Sequence, residues 1–159
     1  QRRLCRRKKG SNRRTKARLL VAKAHGKIAN QRKDFLHKLS TDYISKFKTI
    51  YVEDLPIINM IKNRHLSKSI SDAGWGMFIR FLTYKAEGAG RQVIKVNPNG
   101  TSQICSDCGG RVPKTLSVRI HACPFCGVVL DRDHNAALNI LALGQRVQSL
   151  TKQVAVCVG

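Results

Sequence analysis

The sequence predicts a mixed α/β fold carrying a small cysteine-held module, and three observations lead there. Apolar residues recur at helical spacing in two long segments, residues 14–48 and 75–86. Each segment is followed by a short run of strand character, at residues 49–52 and 91–96. Four cysteines then fall into two C-x2-C pairs separated by 14 residues. Helices and strands alternate as in α/β proteins, without an internal repeat.

Taken in order, the first 18 residues are dominated by cations and predict an irregular arm held extended by self-repulsion. In the first helix, Ile28, Phe35, Leu39, Tyr43 and Phe47 fall on one face. Thr49, Ile50, Tyr51 and Val52 form an apolar run that leads into Glu53, Asp54, Leu55 and Pro56. It predicts a buried strand closed by proline, with two carboxylates at its C-terminal end. Residues 57–73 are polar and predict a mobile loop. Trp75, Phe78, Ile79, Leu82 and Ala86 fit the second helix, which Gly88, Ala89 and Gly90 end. Residues 131–144 predict a third, short helix, and nothing assigns a role to the tail that runs to Gly159.

Charge narrows the function. The chain has 30 Lys and Arg against 9 Asp and Glu, a net charge of +21 over 159 residues. Half of the basic residues lie in residues 1–40, where Asp34 is the sole acid. Such a surface predicts a polyanion partner, above all nucleic acid. Arg6, Arg7, Lys8, Lys9, Arg13 and Arg14 are the candidate phosphate contacts. No run reaches the ~20 apolar residues of a membrane span. The opening residues lack the apolar core of a secretory signal, and the chain starts at Gln1, so a processed or partial protein is expected. A cytoplasmic, nucleoid-associated place is expected.

Cys105, Cys108, Cys123 and Cys126 have the spacing of two knuckles that complete a tetrahedral zinc site. Four thiolates close the coordination sphere, so the zinc is expected to be structural. The alternatives are a redox pair or two disulfides, which a reducing compartment disfavours. Gly109 and Gly127 follow the two pairs and suit the positive φ needed where each knuckle turns. The spacer between the pairs is long enough for a hairpin. His121 reads as a surface residue, and Cys5 and Cys157 as free cysteines.

With only nine acids, placement matters. Glu53 ends a strand, a common place for a metal-binding carboxylate and equally for a plain surface charge. Asp131 or Asp133 can cap the helix that follows. Together the three suggest a hard-cation site able to clamp the oxygens of a phosphodiester.

At this point the residues resemble a known family. Residues 101–109, 123–127 and 130–140, with residues 30–39 and 52–55 upstream, look like the C-terminal region of TnpB (OrfB) proteins. These are transposon-encoded, RNA-guided DNA nucleases related to type V CRISPR effectors. The resemblance implies an α/β, partial RNase H-like (RuvC-like) nuclease fold with an inserted four-cysteine zinc ribbon. Residues 1–100 would hold the basic helix and RuvC-like strand region, 101–130 the ribbon, 131–146 the final acidic helix and 147–159 a tail. It also implies catalytic roles for Glu53 and Asp133, with Asp131 a neighbour of unassigned role. Structural zinc, catalytic magnesium or manganese, DNA and a guide RNA are implied as well. The family's first catalytic aspartate precedes the basic helix, and this sequence has no acid before Asp34. The expectation is a nuclease portion inactive by itself and completed by a missing N-terminal portion. The alternatives are a catalytically dead nucleic-acid-binding remnant and a ribosomal-type RNA-binding protein.

Overall fold

The computed structural model describes residues 1–115 and 117–157, with side chains described as far as Leu150. The order of elements is α1 (Arg2–Cys5), α2 (Asn12–Lys46), β1 (Thr49–Glu53), α3 (Ile57–Ile61), α4 (Ser67–Ala73), α5 (Trp75–Gly88), β2 (Gln92–Val96), β3 (Ile120–Ala122), β4 (Val129–Asp131) and α6 (Arg132–Cys157). β1 and β2 pair in parallel, from Thr49 opposite Gln92 to Glu53 opposite Val96. Parallel strands need a long crossover, and α3, α4 and α5 supply it. The core lies where α2 and α5 cover this pair. Ile44, Leu82 and Ala86 are buried there, with Ile50, Val52, Phe78, Ile79 and Val93 packed against them.

The N-terminal arm is not irregular. Ser11 caps α2 by accepting from the Arg14 amide at 3.3 Å. Arg14 Nη1 donates to the carbonyls of Leu4 (3.2 Å) and Arg7 (2.9 Å). One guanidinium thus bridges two carbonyls of the arm, and it pins α1 beside α2.

The buried stripe of α2 is Leu36, Ser40 and Ile44, adjacent to the expected one. Ile28, Phe35, Tyr43 and Phe47 are exposed. A polar residue disguises the true stripe. Lys85 on α5 reaches across to donate to Ser40 Oγ (2.8 Å), Thr41 Oγ1 (2.7 Å) and the His37 carbonyl (2.6 Å). Ser40 is buried because it has that partner, and burial pulls the Lys85 ammonium below its ordinary pKa.

Three other expectations change. β1 is half-buried throughout, since among the described residues β2 is its single hydrogen-bonded neighbour. Residues 57–73 contain α3 and α4 in place of a loop, with Ile70 buried and Gly74 closing α4 at φ 69°. α6 continues past Gly144 as far as Cys157.

Gly144 is a contact point and not a terminator. A Cβ there would overlap the Tyr51 ring. One turn on, Gln148 accepts from Tyr51 Oη at 2.6 Å and donates to Gln92 Oε1 at 3.1 Å. The supposed tail therefore fastens α6 across β1 and β2. The side chain of Cys157, together with residues 158–159, lies outside the described residues.

Gly144→Ala should destabilise the chain by about 1–3 kcal/mol, the usual range for overpacking. Urea unfolding would measure it. Paired with Tyr51→Ala, the two losses should sum to less than their separate values, because the overlapping ring is gone.

Candidate metal centre and acidic cleft

Each cysteine pair lies at the tip of a small antiparallel turn. An isolated bridge between Ile104 and Arg111 brackets the first pair, and β3 paired with β4 brackets the second. The expected hairpin between the knuckles is absent among the described residues, because pairing follows each knuckle instead. Backbone bonding repeats across the two. The Cys105 amide donates to the Gly110 carbonyl and the Cys123 amide to the Val128 carbonyl, both at 2.9 Å. Gly109 and Gly127 both adopt φ 75°, as their positions predict.

This geometry brings the four sulfurs within 4.8 Å of one another. Cys105 Sγ lies 3.7 Å from Cys126 Sγ, and Cys108 Sγ 3.5 Å from Cys123 Sγ. A tetrahedron with zinc–sulfur bonds of about 2.3 Å has edges of roughly 3.8 Å. The donor set fits a four-coordinate soft metal. Burial raises the Cys123 thiol, yet the Cys126 and Phe125 amides and the neighbouring thiols outweigh it and hold it at about 6. Cys105 is lowered too, chiefly by the Cys108 amide and further by His121. Cys126 is pushed up to about 12: the Val128 amide lowers it, but burial and three neighbouring thiols win. Four thiolates cannot share so small a volume without a cation.

His121, expected at the surface, is wholly buried. It occupies the inward position of β3, and Lys114 Nζ bonds its Nδ1. Two asparagines of α6 hold the first knuckle. Asn135, also wholly buried, accepts from the Ser106 amide (2.9 Å) and donates to the Ile104 carbonyl (2.7 Å). Asn139 donates to the Ile104 and Thr101 carbonyls at 2.7 and 2.8 Å. Sequence reading missed Lys114, Thr101 and both asparagine contacts; the i, i+4 spacing of Asn135 and Asn139 was the one available signal.

Glu53 ends β1 at the mouth of a cleft of about 550 Å³, lined also by Asp54, Leu55, Trp75, Lys95 and Ile140. Thr101 Oγ1 donates to Glu53 Oε1 at 2.6 Å. Asp54 pairs with Lys95 at 3.2 Å instead. Asp131 takes the cap of α6, accepting from the amides of Asp133 (2.8 Å) and His134 (3.2 Å). Those amides hold its carboxyl below the usual range. Asp133, freed from capping, is exposed and pairs with Arg132 (3.2 Å) and Arg119 (3.9 Å). It does not line the cleft with Glu53. Of the six arm cations, Arg14 is committed to backbone carbonyls, while Arg6, Arg7, Lys8, Lys9 and Arg13 are exposed.

Two families match adjoining stretches: OrfB_IS605 (Probable transposase) over residues 1–64 and Cas12f1-like, TNB domain over residues 75–140. A Putative RNA-guided DNA endonuclease of Streptomyces pristinaespiralis is 44% identical over 148 residues, taking in 91% of this chain and 36% of that protein. The chain belongs to the TnpB (OrfB) family. A second relative, the Putative RNA-guided DNA endonuclease InsQ of Escherichia coli K12, is 36% identical over 170 residues, 97% of this chain and 42% of InsQ. The chain thus spans well under half the length of either relative. Among solved structures, a chain of the cryo-EM Cas12f1–sgRNA–target DNA complex matches with a TM-score of 0.57 at 22% identity, over 79% of this chain and 38% of that one. That likeness supports the expected fold class, a partial RNase H-like (RuvC-like) α/β fold with an inserted four-cysteine ribbon. No helix among the described residues is long and apolar enough to cross a membrane.

Asn135→Ala would strand the Ser106 amide and cost about 1–3 kcal/mol. Limited proteolysis should then cut within residues 101–130 before the rest of the chain yields.

Proposed function

We propose that this chain is the C-terminal, metal-binding portion of an RNA-guided DNA endonuclease of a DNA transposon. The observation that carries the reading is Glu53. In a chain this short of acids, it stands at the C-terminal end of a parallel strand and opens onto a cleft. Thr101 fixes one of its oxygens, and a carboxylate so held still offers its other oxygen to a cation. Asp133, in the first turn of α6 and released from capping by Asp131, is the second proposed ligand. When bound, magnesium or manganese would supply the charge that activates water and stabilises the leaving oxygen. The third carboxylate of the family's set falls outside these 159 residues, since no acid precedes Asp34. In this reading an N-terminal portion of the same protein supplies it.

Zinc is the proposed ion for Cys105, Cys108, Cys123 and Cys126, with a structural role. A closed thiolate set leaves no place for substrate. DNA and a guide RNA are the proposed partners, with Arg6, Arg7, Lys8, Lys9 and Arg13 contacting phosphates and Arg14 holding their platform. The ion pairs of Asp133 with two arginines favour a second reading, a binding remnant without chemistry.

Cleavage of guide-matched DNA separates the two. A chain extended upstream through an aspartate-bearing strand should cut in magnesium or manganese. Glu53→Ala and Asp133→Ala should each slow it by about a hundredfold or more, given the several kcal/mol that bound metal supplies. The 159-residue chain by itself should not cut. No cleavage by any extended chain would leave the remnant as the account. For binding, alanine at Arg6, Arg7, Lys8, Lys9 and Arg13 together should flatten the log–log salt slope on duplex DNA by up to ~4.5 units, at about 0.9 per phosphate contact.

A further inference from the structure

A buried histidine bonded to a half-buried lysine lies within the ribbon, and neither the thiolate set nor the acidic cleft accounts for the pair. His121 has no exposed surface and stands on β3, two residues before Cys123. Lys114 Nζ bonds His121 Nδ1 and donates to the Ser102 carbonyl at 2.9 Å. An ammonium group has only donors to offer, so Nδ1 must present its lone pair. The ring proton therefore sits on Nε2. Among the described residues that nitrogen is buried without a hydrogen-bond partner, a costly state for any N–H. Beside the ring is Cys105, itself 1% exposed, whose thiol the imidazole lowers.

We propose that His121 is a positioning residue of the metal centre, its Nε2–H donating to Cys105 Sγ while Lys114 locks the tautomer that makes this possible. The inference rests on the zinc reading above. Four thiolates around one divalent zinc leave an excess of two negative charges on sulfur. Donors to sulfur draw that charge back and hold the ligand in place, as outer partners do at metal centres generally. Three elements serve one sulfur here: the knuckle that carries Cys105, the spacer that carries Lys114, and β3 that carries His121. The device also gives the half-buried Lys114 a role: its ammonium bonds the imidazole on one side and, on the other, the Ser102 carbonyl of the segment that leads into the first knuckle.

The test uses the full 159-residue chain loaded with zinc. Long-range proton–nitrogen correlation spectra of the wild type should show His121 protonated at Nε2 alone. With an NMR-active cadmium isotope in place of zinc, the Nε2 proton should show scalar coupling to the metal through Cys105. Chelator-driven zinc release should then be compared across variants. His121→Leu, which keeps volume but donates nothing, should release zinc about 10–100 times faster, the usual cost of losing such a partner. His121→Gln keeps an N–H and should restore most of the retention. Lys114→Met, which frees the tautomer, should fall between. A wild-type proton on Nδ1 would overturn the proposal, and it decides the matter even where His121→Leu fails to fold. Release from His121→Leu no faster than from wild type would overturn it too. A wild-type chain that takes up no zinc would overturn the zinc reading itself, a separate failure seen before any variant is made.

Discussion

Two side-chain amides on one face of α6 hold this protein together. Asn135 and Asn139 both donate to the Ile104 carbonyl, and between them they also take in Ser106 and Thr101. Farther along the same helix, Gly144 and Gln148 lie against Tyr51 and Gln92 of the parallel pair. One helix is therefore bonded to the ribbon at its start and to the sheet further on. Thr101, whose carbonyl Asn139 grips, is the residue whose hydroxyl holds Glu53. The ribbon is not an ornament beside the cleft: the turn that opens it supplies part of the cleft's wiring.

Electrostatics reinforce that arrangement. The ribbon gathers thiols that need a cation before all four can ionise, and Lys114 stands close to Cys105 and Cys123. Burial pulls the Lys114 ammonium down, while the thiols of Cys105 and Cys123 raise it and Arg132 lowers it. Elsewhere much of the excess positive charge sits on exposed side chains of α1 and the first turns of α2, which precede the first acid, Asp34. Surface ion pairs such as Lys38 with Asp34 and Lys46 with Asp42 are exposed and contribute little to stability. Apart from cations such as Arg14, Lys85 and Lys114 that bond the fold, the positive charge lies largely on exposed side chains.

The elements whose signals are local were legible in the sequence. Knuckle spacing, the glycines that follow each pair, the strand ending in Glu53 and the crossover helix all follow from short-range chemistry. What escaped depends on partners remote in sequence. The α2 stripe was misplaced because Ser40 is buried by a lysine 45 residues away. His121 looked exposed because its lock, Lys114, has no recognisable spacing. α6 outran its apparent end because Gly144 reads as a terminator until Tyr51 is seen against it. The arm looked irregular and extended because charge repulsion is visible in composition, whereas one arginine bonding two carbonyls is not.

The length of α2 has a further consequence. At a rise of about 1.5 Å per residue, an α-helix of 35 residues measures roughly 50 Å from end to end. Exposed cations cluster at one end of it, and β1 with Glu53 follows directly from the other. With one charge per ~1.7 Å of duplex axis, that span covers about 30 phosphates, or some fifteen base pairs. The helix is in effect a ruler. The cations at its start are set at a fixed remove from the parallel pair that packs on its far end, a separation that the backbone hydrogen bonds keep from drifting.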